Sequence, residues 1–270
     1  MYKTYNLKLN DALLTRSSTD GYQPKFVVDN GKSFIKVQCR LSGVYIDDWK
    51  VEYLASKIGY HLGFNILKQE PCHVNLNTGH GILKLYGVKS KNFENDGYSY
   101  VSFRRLLDKF NISLTRDIKY PQMSNVSKIL YISSIVSKYL KMDERCMVRY
   151  LLQLAIVDVF VGNIDRHIGN FGFIIKDGVI KTSPIFDSGL GLFVYDTSSP
   201  SLSFDDCYNR VYIEPYSEDP IKLLNDLDCY FGVKTKLRDR VLTLNLGRSY
   251  FMSDNAYEYY KRIRREFLRQ

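Results

Sequence analysis

Two acidic residues and one amide lie close together in residues 157–189. Asp165, His167 and Asn170 occupy a short polar loop between an apolar helical run and an apolar strand, and Asp187 follows a strand-turn-strand pattern. Phosphoryl transfer needs a carboxylate near the attacking hydroxyl, oxygen ligands for Mg²⁺ and a cation near the phosphates. Because Mg²⁺ takes carboxylate and amide oxygens and keeps several waters, two protein ligands suffice. These residues permit a metal-phosphate site, with Asp165 as base and Asn170 and Asp187 as metal ligands.

Each of these side chains also has a simpler interpretation. Asp165 and Asn170 are residue types that often cap turns, and taken singly they favour no chemistry. Their combination is more specific, because an apolar helix ends at Gly162 and is followed directly by a loop that holds Asp, Arg, His and Asn.

Two segments of this stretch resemble motifs of a known family. The loop NIDRHIGNF at residues 163–171 resembles the catalytic loop of HipA-like serine/threonine kinases, and is similar also to the D-R-H-x-x-N loop of phosphoinositide kinases. The segment FDSG at residues 186–189 resembles the metal-binding D-x-G that follows such a loop. The resemblance implies a two-lobed, protein-kinase-like α+β fold, with an antiparallel-sheet N-lobe carrying one helix and a mostly helical C-lobe. It also implies ATP and Mg²⁺ in the cleft and transfer of the γ-phosphoryl group to a protein hydroxyl.

A lysine and a glutamate upstream stand where the resemblance requires them. Lys36 lies in the strand pattern GKSFIKVQ, and Glu52 lies sixteen residues later in a helix pattern at residues 47–59. Taken alone, Lys36 suits a solvent-facing strand position and Glu52 a helix surface. The resemblance implies instead that Lys36 holds the α/β phosphates and that Glu52 keeps its ammonium in place. By the same resemblance, His167 orients the loop or contacts the phosphoryl group, and Arg166 has no assigned role.

The polar loop TRSSTDG at residues 15–21 is the candidate phosphate-binding loop. Backbone N–H groups of such a loop between strands can cradle phosphates, although the segment has no G-x-G-x-x-G. The following QPKF resembles the segment after the glycine-poor phosphate loop of HipA-like kinases, which implies nucleotide contacts at Ser18 and Gly21. Because HipA-like kinases can phosphorylate a serine in this loop, Ser17, Ser18 and Thr19 are the predicted autophosphorylation sites.

The remaining pattern predicts where the lobes begin and end. Asn30-Gly31 is a hairpin signal, and a polar, turn-rich segment begins at Val88. We therefore expect an N-lobe at 1–87, a C-lobe at 88–270 and a connection at 85–89. The resemblance to HipA-like kinases implies that backbone groups of Leu85 to Gly87 in this connection meet the adenine edge. The predicted strands cover 5–9, 23–29, 31–38, 71–77 and 82–86, and the predicted C-lobe helices cover 102–110, 125–141, 143–161, 219–230, 233–244 and 254–269.

The bulk properties restrict partners and location less sharply. A formal net charge of +9 attracts nucleotides, acidic proteins, nucleic acid or anionic lipid without choosing among them. The basic final segment YEYYKRIRREFLRQ favours a solvated helix face, or contact with an acidic partner, RNA or a membrane surface. Five scattered cysteines without a CxxC pair indicate a reducing compartment. We expect a soluble protein without a transmembrane segment, cytoplasmic or exported without a cleaved signal peptide.

Alternative functions of other classes stay open. The D-R-H-x-x-N likeness and the basic surface also suit a phosphoinositide or small-molecule kinase, and the basic helices suit a pseudokinase or nucleic-acid-binding module. The intact set of Asp165, Asn170 and Asp187 argues against an inactive site. HipA proteins of the toxin type carry an extra amino-terminal subdomain, whereas this chain begins almost at the first kinase strand, which argues against an antitoxin partner.

Overall fold

The computed structural model describes residues 2–12, 24–41, 43–95, 97–114, 122–195, 201–213, 216 and 219–269. The predicted phosphate-loop residues Ser17, Ser18, Thr19 and Gly21 lie outside these ranges. The described elements form a sheet-rich N-terminal part and a helical C-terminal part, so the predicted α+β class is confirmed.

The N-lobe is built on a five-stranded sheet. Its elements are β1 (Lys3–Lys8), β2 (Lys25–Val28), β3 (Ser33–Val37), the short pair β4 (Arg40–Leu41) and β5 (Val44–Tyr45), helix α1 (Asp48–His61), β6 (Gln69–Asn77) and β7 (Ile82–Lys91). The sheet order is β1-β6-β7-β3-β2, and β4 and β5 pair with each other as a separate two-stranded sheet. The turn between β2 and β3 has left-handed backbone at Asp29, Asn30 and Gly31, which confirms the predicted hairpin.

The N-lobe sheet is mostly antiparallel, as predicted, and one edge pair is parallel. Strands β1 and β6 run parallel, whereas the other neighbouring pairs are antiparallel. Parallel strands need a long crossover, and the segment between β1 and β6, which contains α1, supplies it.

Strand β7 runs through residues 85–89, where the sequence predicts the lobe connection. Strand β7 continues through Val88 to Lys91, beyond the expected boundary at residue 87, because its backbone pairs with β6 on one side and β3 on the other. The polar residues that follow Val88 are typical of a loop, but this cross-strand pairing keeps them in the sheet. The connection therefore begins at Asn92, whose side chain donates to the Gly31 carbonyl.

Helix α1 belongs to the packing of both lobes. Its residues Val51, Leu54 and Ile58 are part of the large apolar core of the C-lobe, which is separate from the small core of the sheet. At its C-terminal end, His61 Nε2 lies 2.8 Å from the Arg240 carbonyl, and the Arg240 guanidinium donates to the carbonyl of Leu62. The helix that carries Glu52 is therefore fastened to the C-lobe.

The C-lobe combines helices with a small antiparallel sheet of order β10-β9-β8. Within the described ranges, no helix combines the length and apolar composition needed to cross a bilayer. The C-lobe elements are β8 (Ser99–Ser102), α2 (Phe103–Lys109), α3 (Asn125–Leu140), α4 (Glu144–Val161), β9 (Gly172–Lys176), β10 (Val179–Thr182), α5 (Phe204–Tyr208), α6 (Pro220–Phe231), α7 (Val233–Thr243) and α8 (Asp254–Leu268).

One face of the basic helix α8 packs into the protein core, and some of its arginines contact neighbouring elements. Its Tyr259, Ile263 and Phe267 side chains are fully buried. Arg264 donates to carbonyls at the end of α7, and the Arg262 guanidinium lies 4.1 Å from the centre of a tyrosine ring. A partner at this helix stays a prediction.

Candidate active site

The end of helix α4 fixes the predicted catalytic loop. Gly162 ends the helix in a left-handed conformation (φ 55°), which a glycine adopts at low cost. Asn163 Nδ2 then donates to Asp158 Oδ1 at 2.9 Å, and Asn163 Oδ1 accepts from the backbone N–H of Asp165. Asn170 Nδ2 closes the loop by donating to the Asp165 carbonyl at 3.0 Å. These contacts leave Asp165 exposed on a loop held at both ends.

A buried arginine joins this loop to the D-x-G segment. Arg166 is 0% exposed; its Nε and Nη2 donate to the two carboxylate oxygens of Asp158, each at 2.9 Å. Its Nη1 donates to the carbonyls of Asn170 and Phe186, and its Nη2 also donates to Ser188 Oγ. Burial acts to lower the pKa of Arg166, but the Asp158 carboxylate holds it above its ordinary value. One guanidinium thereby positions both predicted metal-ligand loops.

The two predicted metal ligands have features that suit a cation. Asn170 Oδ1 is buried and, among the described residues, has no hydrogen-bond donor. Buried acceptors in folded proteins nearly always have a partner, so this oxygen fits a metal ligand. Asp187 has a left-handed backbone (φ 62°), a conformation rare for residues other than glycine and enriched at functional sites. An amide oxygen and a carboxylate are ligands that Mg²⁺ accepts, so the residues present fit this ion.

Lys36 links the two lobes at this point. Its Nζ donates to Glu52 Oε1 at 2.8 Å and to Asp187 Oδ1 at 2.6 Å. Burial acts to lower the pKa of Lys36, but the charges of Asp187 and Glu52 outweigh it and raise the pKa above its ordinary value. Burial likewise acts to raise the pKa of Asp187, and the positive charge of Lys36 reverses the sign, so that this pKa is lowered. The structure therefore holds an ionised lysine between two carboxylates.

His167 has one ring nitrogen committed to the loop. Its Nδ1 lies 3.0 Å from the backbone N–H of Gly169 and accepts a hydrogen bond from it. In the neutral ring this contact assigns the proton to Nε2. His167 therefore orients the loop through one nitrogen and carries a donor on the other.

An interlobe cleft opens beside Lys36. Three aromatic rings, Phe93, Tyr100 and Phe186, lie with centroids 5.4 to 5.6 Å apart on its C-lobe side. Tyr100 donates its hydroxyl to the Gly169 carbonyl, and burial raises its pKa, so it stays a donor. The cleft is lined by Lys25, Phe34, Lys36, Leu67, Gln69, Ser90, Phe93, Glu94, Tyr100, Arg105 and Phe186.

Leu85 and Gly87 are not among the residues that line this cleft, and their adenine contacts stay a prediction. Both residues lie within β7, and a Cβ on Gly87 would come 2.5 Å from the Lys36 carbonyl. Gly87 thus allows β7 to approach the lysine strand. Phe93 and Glu94 of the lobe connection line the cleft instead.

Other residues at the site are not predicted by sequence patterns. Lys25 pairs with Lys36 across the β2–β3 hairpin and lines the cleft. Its position in the QPKF motif beside a strand lysine is the available signal. An acid in the last turn of α4, Asp158, is the signal for the Arg166 ion pair, whereas nothing in the sequence indicates that Gln69 reaches the cleft. The structure brings Lys36, Glu52 and Asp187 together; their catalytic roles stay predictions.

Comparisons with known proteins agree with this architecture. No protein-family model and no curated protein sequence matches the chain. It is similar to the solved structure of the proinflammatory kinase CtkA of Helicobacter pylori, with 16% identity, coverage of 97% of this chain and 94% of that chain, and a TM-score of 0.55. At this identity the likeness shows the fold, and the predicted kinase-like fold is confirmed.

Two further solved structures align over most of the chain. One is the complex of HipA, HipB and operator DNA from the toxin-antitoxin system of Shewanella oneidensis MR-1, with 14% identity, 94% of this chain and 64% of that chain covered, and a TM-score of 0.49. The other is a Golgi casein kinase, with 15% identity, 92% and 70% coverage, and a TM-score of 0.39.

Proposed function

We propose that this chain is an ATP-dependent serine/threonine protein kinase of HipA-like type that also phosphorylates itself. The observation that carries the proposal is the placement of Lys36 between Glu52 of α1 and Asp187 of the D-x-G segment. A lysine paired with a helix glutamate beside a metal-binding acid is the arrangement that kinases use to hold nucleotide phosphates. The kinase-like fold supports this function independently of these three side chains.

The residues of the loop then have distinct roles. The Asp165 carboxylate accepts the proton of the acceptor hydroxyl while the oxygen of that hydroxyl attacks the γ-phosphorus. The bond from that phosphorus to the bridging oxygen breaks, and ADP leaves with the electron pair. His167 Nε2–H donates to an oxygen of the transferred group. Such positioned donors and charges supply most of the rate enhancement in phosphoryl transfer.

The cations and the metal ligands act on the phosphates. Asn170 and Asp187 would hold Mg²⁺, which when bound neutralises charge on the phosphate oxygens. Lys36 uses two of its three N–H donors on carboxylates and has the third for a phosphate oxygen. Lys25, its cross-strand neighbour, adds a second positive charge to the same side of the cleft.

Transfer of radiolabelled γ-phosphate tests the proposal. Asp165→Ala and Asp187→Asn should each reduce transfer by several orders of magnitude, because positioning and electrostatics carry the reaction. Asp177→Asn is the matched control, since Asp177 is an exposed acid in the β9–β10 turn. Undiminished transfer by both site variants would refute the assignment. Label that enters phosphoinositide vesicles and no protein would replace it with the lipid-kinase alternative.

Autophosphorylation at Ser17, Ser18 or Thr19 is the second part of the proposal. Phosphopeptide mapping after incubation with Mg-ATP should find phosphate on at least one of these hydroxyls. The Asp165→Ala variant, treated identically, should show none. Label on the chain with all three hydroxyls unmodified would overturn this part alone.

A further inference from the structure

Gln69, the first residue of β6, is held by helix α1 at two points. Its backbone N–H donates to Ser56 Oγ at 3.0 Å, and its side-chain Nε2 donates to Glu52 Oε2 at 3.4 Å. Ser56 and Glu52 lie one helical turn apart, so both contacts come from the same face of α1. Gln69 is 6% exposed. Its amide group is therefore buried and fixed in position.

The neighbouring carboxylate decides which atom of this amide remains available. Glu52 only accepts hydrogen bonds, and its other oxygen is bonded to Lys36. The NH₂ group of Gln69 must therefore face Glu52, and the amide oxygen Oε1 must point away from it. Oε1 is buried and has no hydrogen-bond donor among the described residues. Because buried acceptors in folded proteins nearly always find a donor, a ligand that enters the cleft lined by Gln69 is the source to expect.

The surroundings of Gln69 restrict the chemistry of that ligand. The cleft presents apolar and aromatic side chains, among them Phe34, Leu67 and Phe93, together with Ser90, the cross-strand partner of Gln69. Four charged side chains also line it, those of Lys25, Lys36, Glu94 and Arg105. The apolar and aromatic side chains suit a flat heterocycle recognised at its edge by a fixed polar atom, and the cations suit phosphates attached to it. Adenine carries an amino group on its six-membered ring where guanine carries a carbonyl oxygen, so only adenine offers Oε1 a donor there.

We infer that Gln69 Oε1 accepts a hydrogen bond from the exocyclic amino group of the nucleotide base and thereby selects adenine over guanine. The inference rests on the proposed function, since it requires a nucleotide in the cleft. Among side-chain atoms of the described residues, Gln69 Oε1 and Asn170 Oδ1 are the two buried atoms without a partner. They would mark the base end and the metal end of one bound nucleotide.

Binding of nucleotide analogues tests the inference without any turnover. Titration calorimetry would compare the Mg²⁺ complexes of ATP, GTP and purine riboside triphosphate, which is ATP without the amino group. Wild type should bind ATP about tenfold more tightly than purine riboside triphosphate, because an unpaired buried acceptor is costly, and GTP more weakly still. Gln69→Met, similar in size but without the acceptor, should bind ATP and purine riboside triphosphate equally.

A matched variant and the wild-type series keep the test decisive. Gln38→Met removes a second N-lobe glutamine, whose Oε1 accepts from Tyr86, outside the cleft lining. It should keep the wild-type preference for ATP. If Gln69→Met does not fold, the three wild-type affinities decide alone. Equal wild-type binding of ATP and purine riboside triphosphate would overturn the inference and leave the proposed function intact. Failure to bind any of the three would overturn both.

Discussion

Lys36 Nζ and Asp187 Oδ1 lie 2.6 Å apart although 151 residues separate them in the chain. One belongs to the sheet of the N-lobe and the other to the D-x-G segment of the C-lobe. Their ion pair spans the cleft at the position where we expect nucleotide phosphates. Under the proposed function each partner would keep a group for the nucleotide complex: the lysine its third N–H for a phosphate oxygen, and the carboxylate its second oxygen for the metal ion.

Lys36→Met should reduce phosphoryl transfer at least about 100-fold, because the cation that steadies the phosphates is lost. It should also lower stability, because Glu52 is 2% exposed and would remain as a buried carboxylate without a cationic partner. Transfer would be measured with radiolabelled ATP at a temperature well below the melting transition. Lys84→Met, a change at an exposed position of β7, is the control. Activity near wild type in Lys36→Met would contradict the assignment.

Lys25→Met should stabilise the free protein while weakening Mg-ATP binding. Burial, and then the charge of Lys36, lower the pKa of Lys25 from 10.5. The unfolded chain therefore holds this proton more tightly, and the charged Lys25 costs stability at pH 7. The variant should melt higher than wild type at pH 7, and this gain should shrink as the pH approaches 10.5.

Melting curves between pH 7 and 10, with calorimetric titration of Mg-ATP, test this prediction. The control is Lys32→Met, which alters an exposed lysine in the β2–β3 turn. A Lys25→Met variant that melts lower than wild type at pH 7, or binds Mg-ATP as tightly, would show that Lys25 is not held in the cleft for a phosphate.

Asp158→Asn and Arg166→Lys should each cost about 3–5 kcal/mol of unfolding free energy, because each leaves a buried charge without its full partner. Urea denaturation measures this loss. Lys68→Met removes the exposed Lys68–Glu70 pair, which is 76% and 63% exposed, and should change stability by less than about 0.5 kcal/mol. Equal losses of unfolding free energy at the buried and the exposed pair would mean that the Asp158–Arg166 pair does not stabilise the loop.

Asn170→Ala should raise the Mg²⁺ concentration needed for half-maximal transfer about tenfold or more, because it removes the amide oxygen that fits the metal. Asn163→Ala is the matched comparison, because both polar atoms of the Asn163 side chain already have hydrogen-bond partners. Its Nδ2 donates to Asp158, and its Oδ1 accepts from the backbone N–H of Asp165. This variant should lower stability and shift the Mg²⁺ requirement less than about twofold. Identical Mg²⁺ curves for wild type and Asn170→Ala would remove Asn170 from the metal site.

Local patterns were sufficient for most of the fold. The apolar periodicity of α4 and its end at Gly162 predict the observed helix closely, and Asn30-Gly31 predicts the hairpin that sets Lys36 opposite Lys25. The short helix α5 and strand β8 were not predicted, because five-residue and four-residue elements carry too little periodicity. The predicted position of the connection after β7 differs from the structure for another reason. Backbone pairing to strands on both sides keeps a polar sequence in the sheet.

The residues of the site also divide into those that local motifs predict and those that tertiary contacts bring into place. Asp165, Asn170 and Asp187 stand in short motifs, whereas Gln69 enters the cleft through contacts with α1 that no local spacing encodes. The contacts of Arg166 are only partly local. Asp158 is eight residues away in the chain, whereas the carbonyls of Asn170 and Phe186, to which the guanidinium also donates, belong to two different loops. Tertiary contacts of this kind appear only once the lobes are assembled.

The guanidinium of Arg166 makes five hydrogen bonds inside the described structure, as many as it has N–H groups. It has no donor left with which to receive a phosphate group from the segment after Gly189. Phosphorylation of that segment therefore cannot act on the catalytic loop through this arginine. Within the described residues, the shape of the catalytic loop is therefore set by contacts that form when the chain folds.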